Sequence, residues 1–227
     1  MKASTLLMGI PTLLCAMLFA SSAFAGDVIV DNPSFEILPG DATFYGCGAG
    51  CSYDVAGIPG WAGVGSFGQF LPGSSSGNFA YFNYVPNGVT VAYSNGGTIS
   101  QIVGATVQNG VTYTLTVDIG DRNDGYPYVG TADLMLGTTP CAAAGSAPTP
   151  GNWSVFTATC IGTSAEEEED GGAITIQLNS VGDQGDFDAV ALTDSVSTIP
   201  EPSTLTLFGS GLLAMAYLFR RKRFTQS

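Results

Sequence analysis

Val111-Thr-Tyr-Thr-Leu-Thr-Val-Asp-Ile119 is the stretch whose reading decides the fold. Val111, Tyr113, Leu115, Val117 and Ile119 alternate with Thr112, Thr114, Thr116 and Asp118. A period of two sends the first set to one face of a strand, which is buried, and the second set to the other. Nearly every position is β-branched or aromatic, which favours extended backbone over helix. Outward from this stretch, Ala173 to Leu178 repeats the alternation in shorter form. Asp27–Val30, Asn78–Tyr84, Val89–Tyr93, Thr98–Val103, Ala132–Leu136, Trp153–Cys160 and Phe187–Thr193 also read as strands. Between them lie turn signals such as Asn87-Gly88, Asn95-Gly96-Gly97, Asn109-Gly110 and Asp124-Gly125. Strands at this spacing predict an all-β sandwich.

The ends of the chain differ from this middle. Lys2, an apolar run from Leu6 through Ala20, and small residues up to Ala25 have the order of a secretory signal peptide. Ala23 and Ala25 fit a signal peptidase pocket, so residues 1–25 are expected to be removed and the mature chain to begin at Gly26. At the other end, Pro200-Glu201-Pro202-Ser203 precedes an apolar run over residues 204–219 and a basic stop of Arg220, Arg221, Lys222 and Arg223. The run is just short of the length that spans a bilayer comfortably, which predicts a single marginal transmembrane helix with its basic end in the cytoplasm. The two prolines hold an extended segment that cannot join the following helix, a shape a protease can bind.

Motif, short apolar helix and basic stop occur in the order and spacing of the PEP-CTERM sorting signal, which residues 200–223 resemble. The resemblance implies recognition by an exosortase and cleavage near the Pro-Glu-Pro motif, in bacteria that make extracellular polysaccharide. The expected path runs from an inner-membrane-anchored precursor to the cell surface or extracellular matrix.

Removing both ends leaves residues 26–193 as one domain and 194–199 as a short linker. Arg122 is the only basic residue between them, against nearly all of the acidic side chains. Such a surface repels phosphate backbones, which excludes nucleic acid as a partner, and attracts cations such as calcium. The chain has 0 histidines, which excludes Ser-His-Asp and Cys-His catalysis and His-ligated zinc. Cys47, Cys51, Cys141 and Cys160 are an even set in an oxidising compartment. Two disulfides are expected, paired locally as Cys47 with Cys51 and Cys141 with Cys160; the competing reading is a four-thiolate metal site. Glu166 to Asp170 reads as a solvated loop tip, and Asp118, Asp121 and Asp124 as a polar turn paired with Arg122.

Val28-Ile-Val-Asp-Asn-Pro-Ser-Phe-Glu36, Pro59-Gly-Trp61 and Phe187-Asp-Ala-Val-Ala-Leu192 together resemble the jelly-roll fold of galactose-binding-like domains and carbohydrate-binding modules. The resemblance implies that the first and last strands meet and that Glu36 and Asp188 help hold a structural calcium. Alternatively, Glu36 is a surface carboxylate and Asp188 caps a turn. Trp61 is expected in the core, and Tyr126 and Tyr128 on an exposed loop that could stack on sugar rings. The expected function is that of a non-catalytic surface or matrix protein that binds polysaccharide. Two alternatives are a carboxylate-dependent glycoside hydrolase or lyase and a structural matrix protein that adheres by self-association.

Overall fold

The alternating stretch forms β6, Val111–Gly120. Its apolar set is the centre of the core, with Tyr113 1% exposed and Leu115, Val117 and Ile119 0%. The computed structural model describes residues 25–48, 50–73, 80–126, 128–196 and 210–211. The chain divides into a unit over residues 23–197 and a second unit made of residues 1–22 and 198–227. The expected signal helix, the Pro200-Glu201-Pro202 motif, the basic stop from Arg220 to Arg223 and nearly all of the apolar run lie outside the described residues. Among the described residues no helix is long and apolar enough to cross a membrane.

The first unit is a jelly-roll β-sandwich. Its strands are β1 (Ala25–Val28), β2 (Tyr45–Gly48), β3 (Cys51–Tyr53), β4 (Ala62–Leu71), β5 (Val91–Thr106), β6, β7 (Gly130–Leu136), β8 (Thr139–Ala142), β9 (Trp153–Ile161), β10 (Ala173–Ser180) and β11 (Gln184–Val196). One layer runs β8-β7-β10-β5, and the other β9-β6-β11 with β1 beside the end of β11. Facing side chains fill the space between: Leu134 and Leu136 of β7, Ile174, Ile176 and Leu178 of β10, the apolar set of β6, and Phe187 and Leu192 of β11.

β5 joins the layers. Its first half pairs with β11, Ala92 facing Phe187, and its second half with β10, Ile99 facing Leu178. The turn signal Asn95-Gly96-Gly97 therefore does not separate two strands, as the sequence suggests, but bends one. Gly96 has a positive φ of 64°. A Cβ at Gly97 would lie 2.0 Å from the Val64 carbonyl oxygen, so neighbouring β4 approaches as only glycine permits.

Other departures have similar causes. The described part of Asn78–Tyr84 forms bends, not a strand; Tyr81 has φ 73°, and Phe82 packs against Trp153 with ring centroids 4.6 Å apart. The glycine-rich segments of β2 and β4 carry too little apolar alternation to be read as strands. The Glu166 to Asp170 run is not a plain loop. Thr163 caps a helical turn, α1 (Ser164–Glu168), through a reciprocal capping box with Glu166.

Removing Leu115 from this core should be costly. Leu115→Ala is expected to destabilise by about 2–5 kcal/mol, and Thr116→Ala on the opposite face by less than about 0.5 kcal/mol, measured by urea unfolding of the exported protein.

Candidate functional site

Alternation along β11 also decides what lies outside the sandwich. Phe187 points into the core with 0% exposure, so Asp186 and Asp188 project from the opposite face of the sheet. There a second apolar cluster forms from Cys51, Phe70, Ala80, Phe82, Val91, Tyr93 and Trp153. Beside it opens a cleft of about 330 Å³ walled by Tyr53, Phe70, Tyr81 and Tyr93, with Asn95, Arg122 and Gln184 as its polar side. A second hollow of about 280 Å³ shares Asn95, Arg122 and Gln184 and adds Tyr126, Gly182 and Asp183. Those three shared side chains form a ridge between the two.

The aromatic wall is fixed by polar tips. Tyr53 and Tyr93 meet edge to face at 6.1 Å and 85°. The Tyr93 hydroxyl donates to the Asp54 carbonyl at 2.7 Å, and burial pushes its phenol up to about 12. Tyr81 donates to the Cys47 carbonyl at 3.2 Å, which ties it to the disulfide hairpin β2–β3.

Arg122 crosses this wall with its guanidinium 4.0 Å from the Tyr81 ring centroid. Its Nη1 donates to Gln184 Oε1 at 2.8 Å, and its Nη2 pairs with Asp124. The expected pairing of Arg122 with the acidic turn is present, but the Arg122 Nε is buried without a partner among the described residues. Gln184 Nε2 in turn donates to Asp186 Oδ1 at 2.7 Å. Asp186 is 1% exposed. Burial pushes its carboxyl up to about 7, against the opposing pull of the Gln184 hydrogen bond and the Arg122 charge.

Glu36 and Asp188 are brought near each other. Glu36 Oε1 accepts from the Val89 and Thr90 amides at 2.8 and 2.7 Å. Asp188 accepts from Asn87 and Ala189 at 2.8 and 2.7 Å. Burial raises Asp188 to about 7, with the charges of Asp118 and Glu36 adding to the rise. These oxygens are largely spent on backbone amides, and among the described residues no group of three His, Cys, Asp or Glu side chains is arranged to hold a metal.

Tyr126 is 60% exposed at the second hollow. Tyr128 packs against Phe156 at 5.9 Å and is part of the core edge, not of the exposed loop. Trp61 is 7% exposed and its indole donates to the Asp31 carbonyl at 2.9 Å. Cys47 is bonded to Cys51 and Cys141 to Cys160, with Cα atoms 5.3 and 6.3 Å apart.

Asp186 and Asp188 are carboxyls that burial raises, and Asp186 is not among the catalytic or binding candidates that the sequence offers. The signal was the inward Phe187 between them, which places both beneath a packed layer that sequence alone does not show.

A model of the HpiC1-like family, described as HpiC1 cyclase, matches residues 26–193. The chain belongs to the HpiC1-like family. The PEP-CTERM protein-sorting motif matches residues 198–223, which makes this HpiC1-like protein an exported, surface-directed one. Two solved relatives are similar. The Stig cyclase Fisc from Fischerella sp. TAU, in complex with (3Z)-3-(1-methyl-2-pyrrolidinylidene)-3H-indole, is 24% identical over 75% of this chain and 98% of its own, with a TM-score of 0.59. A cyclase from Fischerella sp. TAU in complex with 4-(1H-indol-3-yl)butan-2-one is 24% identical over 74% and 97%, with a TM-score of 0.57. At this identity the likeness shows the shared fold. No curated protein matches the chain.

Burial of Asp186 and Asp188 sets a pH dependence. Both carboxyls are held up to about 7 when folded, against about 3.9 in the unfolded chain. Between those values the folded state binds more protons, so stability falls as pH rises from about 4 to about 7. Asp186→Asn should flatten that fall in urea unfolding measured across the window.

Proposed function

We propose that the exported domain is a non-catalytic ligand-binding module of the cell surface or extracellular matrix, and that its aromatic cleft takes the rings of a neutral polysaccharide. The observation that carries this reading is the lining of the cleft. The aromatic side chains Tyr53, Phe70, Tyr81 and Tyr93 line it beside the planar hydrogen-bonding groups of Asn95, Arg122 and Gln184. A sugar ring offers apolar C–H faces to the first and hydroxyl groups to the second. Tyr126 at the adjoining hollow extends the aromatic surface. A neutral chain is favoured because the exported region carries Arg122 as its only basic residue. A glycoside hydrolase would need two carboxylates across the bond, and no acidic side chain lines the cleft among its described residues. Release or retention at the surface would follow from an exosortase acting at Pro200-Glu201-Pro202.

A glycan array probed with the exported protein tests this. Selective binding to neutral glycans is expected, and calorimetry should show Asn95→Ala weakening it about three- to tenfold. An array with no binding, together with concentration-dependent assembly, would favour a structural matrix role instead.

A second reading, acid-catalysed ring formation, is favoured by the buried Asp186 carboxyl and by the description of the family as a cyclase. It stands second because Gln184 caps Asp186 Oδ1, leaving the acid 1% exposed. Isomerisation of an indole-bearing substrate, seen by chromatography and lost in Asp186→Asn, would raise it to first.

Calcium is proposed as a stabiliser at Glu36 and Asp188, supported by the closeness of the two carboxyls, since the charge of Glu36 adds to the rise of Asp188. Chelation should then lower the melting temperature of the native protein and leave that of Asp188→Asn unchanged.

A further inference from the structure

β1 and β11 run antiparallel, with Gly26 opposite Asp194 and Asp27 opposite Thr193. Directly opposed residues project to the same face of such a pair. Here the Asp194 carboxylate folds over the bare Cα of Gly26: a Cβ at position 26 would lie 2.5 Å from Asp194 Oδ1. A side chain there would have to push the Asp194 carboxylate aside, so glycine is what lets the carboxylate rest over this backbone. A backbone nitrogen lies about 2.5 Å from its own Cβ position, which puts the Gly26 nitrogen within about 5 Å of that carboxylate oxygen.

In the uncut chain this nitrogen is a neutral amide. Hydrolysis of the Ala25–Gly26 bond adds water across it, leaving a carboxylate on Ala25 and an α-ammonium on Gly26. We propose that Asp194 is the receptor for this ammonium: removal of the leader converts a neutral strand contact into an ion pair that ties the first strand of the domain to the last. The pair forms two residues before Val196, where β11 ends and the chain departs toward the sorting motif. The inference rests on the leader being cut after Ala25 and is independent of what the cleft binds.

Charge supports it. Arg122 is the only basic side chain between residues 26 and 199, and it is engaged with Gln184 and Asp124 beside the cleft. Cleavage supplies the domain's second cation next to a carboxylate that the described side chains do not otherwise pair. The ionisable neighbours on the packed elements are few. Asp27 follows on β1, with its side chain to the other face, and Tyr113 of β6 lies across from Asp194. The Tyr113 phenol is raised by burial first and in part by the charges of Asp194 and of Glu167 on α1, so it stays neutral.

The lack of lysine makes the test selective. Lys2 and Lys222 are the only lysines of the chain, so in the exported protein an amine-directed reagent reacts at Gly26 and, where the tail is retained, at Lys222. Labelling at each amine is followed by mass spectrometry across pH, beginning with intact mass to establish the first residue. The Gly26 amine is expected to react about three- to tenfold more slowly at pH 7 in the native protein than in Asp194→Asn, with Lys222 unchanged. Thermal unfolding provides the companion measurement, using a second form that keeps Ala25, made with a sequence-specific protease site ahead of it. Asp194→Asn should lower the melting temperature of the form that starts at Gly26 and leave that of the Ala25 form unaltered. A mature chain that starts elsewhere, equal labelling rates in the two proteins, or equal losses of melting temperature in the two forms would overturn the proposal.

Discussion

β11 is the strand on which the rest of the structure depends. It pairs with β1, β5 and β6, so three neighbours fix its register, and a one-residue slip would exchange its two faces. Phe187 and Leu192 would then leave the core, and Asp186 would enter it unpaired. Its register shift between Asp188 and Ala191, with Ala189 at φ 49°, lets the strand serve two environments. The first part faces the cleft side, and the last part carries β1 and leads to the tail. The 13 residues of β11 separate Gln184 at the cleft from Val196 by on the order of 35 Å. The cleft therefore lies far along the domain from where the chain enters and leaves it.

The cleft gathers what the core excludes. Asp186 is buried without a direct ionic partner, and Gln184 bridges it to Arg122, accepting from the guanidinium and donating to the carboxyl. A carboxyl in such a place keeps its proton to a higher pH than in water, since burial disfavours the charge by more than the Gln184 bond and the Arg122 charge favour it. Arg122 is held by Asp124 and by the Tyr81 ring, which leaves the ridge between the hollows rigid. The Cys47–Cys51 bond supports the same wall through the Tyr81 hydroxyl. Four separate segments of chain thus converge on one rim.

Much of the sandwich was legible because a half-buried strand must alternate. Val111 to Ile119 and Ala173 to Leu178 obey that rule, and both are strands in the fold. Segments held by other means were not legible. β4, with Gly63, Gly65 and Gly68, is a strand because its partners approach a backbone free of side chains: a Cβ at Gly68 would stand 2.1 Å from the Asp54 carbonyl oxygen. The bend at Gly96-Gly97 and the bends through Tyr81 depend on the same kind of close approach. Tyr126 and Tyr128 are two residues apart and were read alike, yet Phe156 claims one for the core edge and the other stays in solvent.

By itself the sequence determined the class of fold, the local pairing of the cysteines, the acidic and histidine-free chemistry and the sorting motif at the end of the chain. Each follows from composition or from residues near one another along the chain. Tertiary structure alone decided the cleft, the bond of Arg122 to Gln184, the burial of Asp186 and the seat of Asp194 over Gly26. Arg122 and Gln184 are 62 residues apart, and Gly26 and Asp194 lie near opposite ends of the domain, so what each side chain meets depends on what packing brings within a few ångströms.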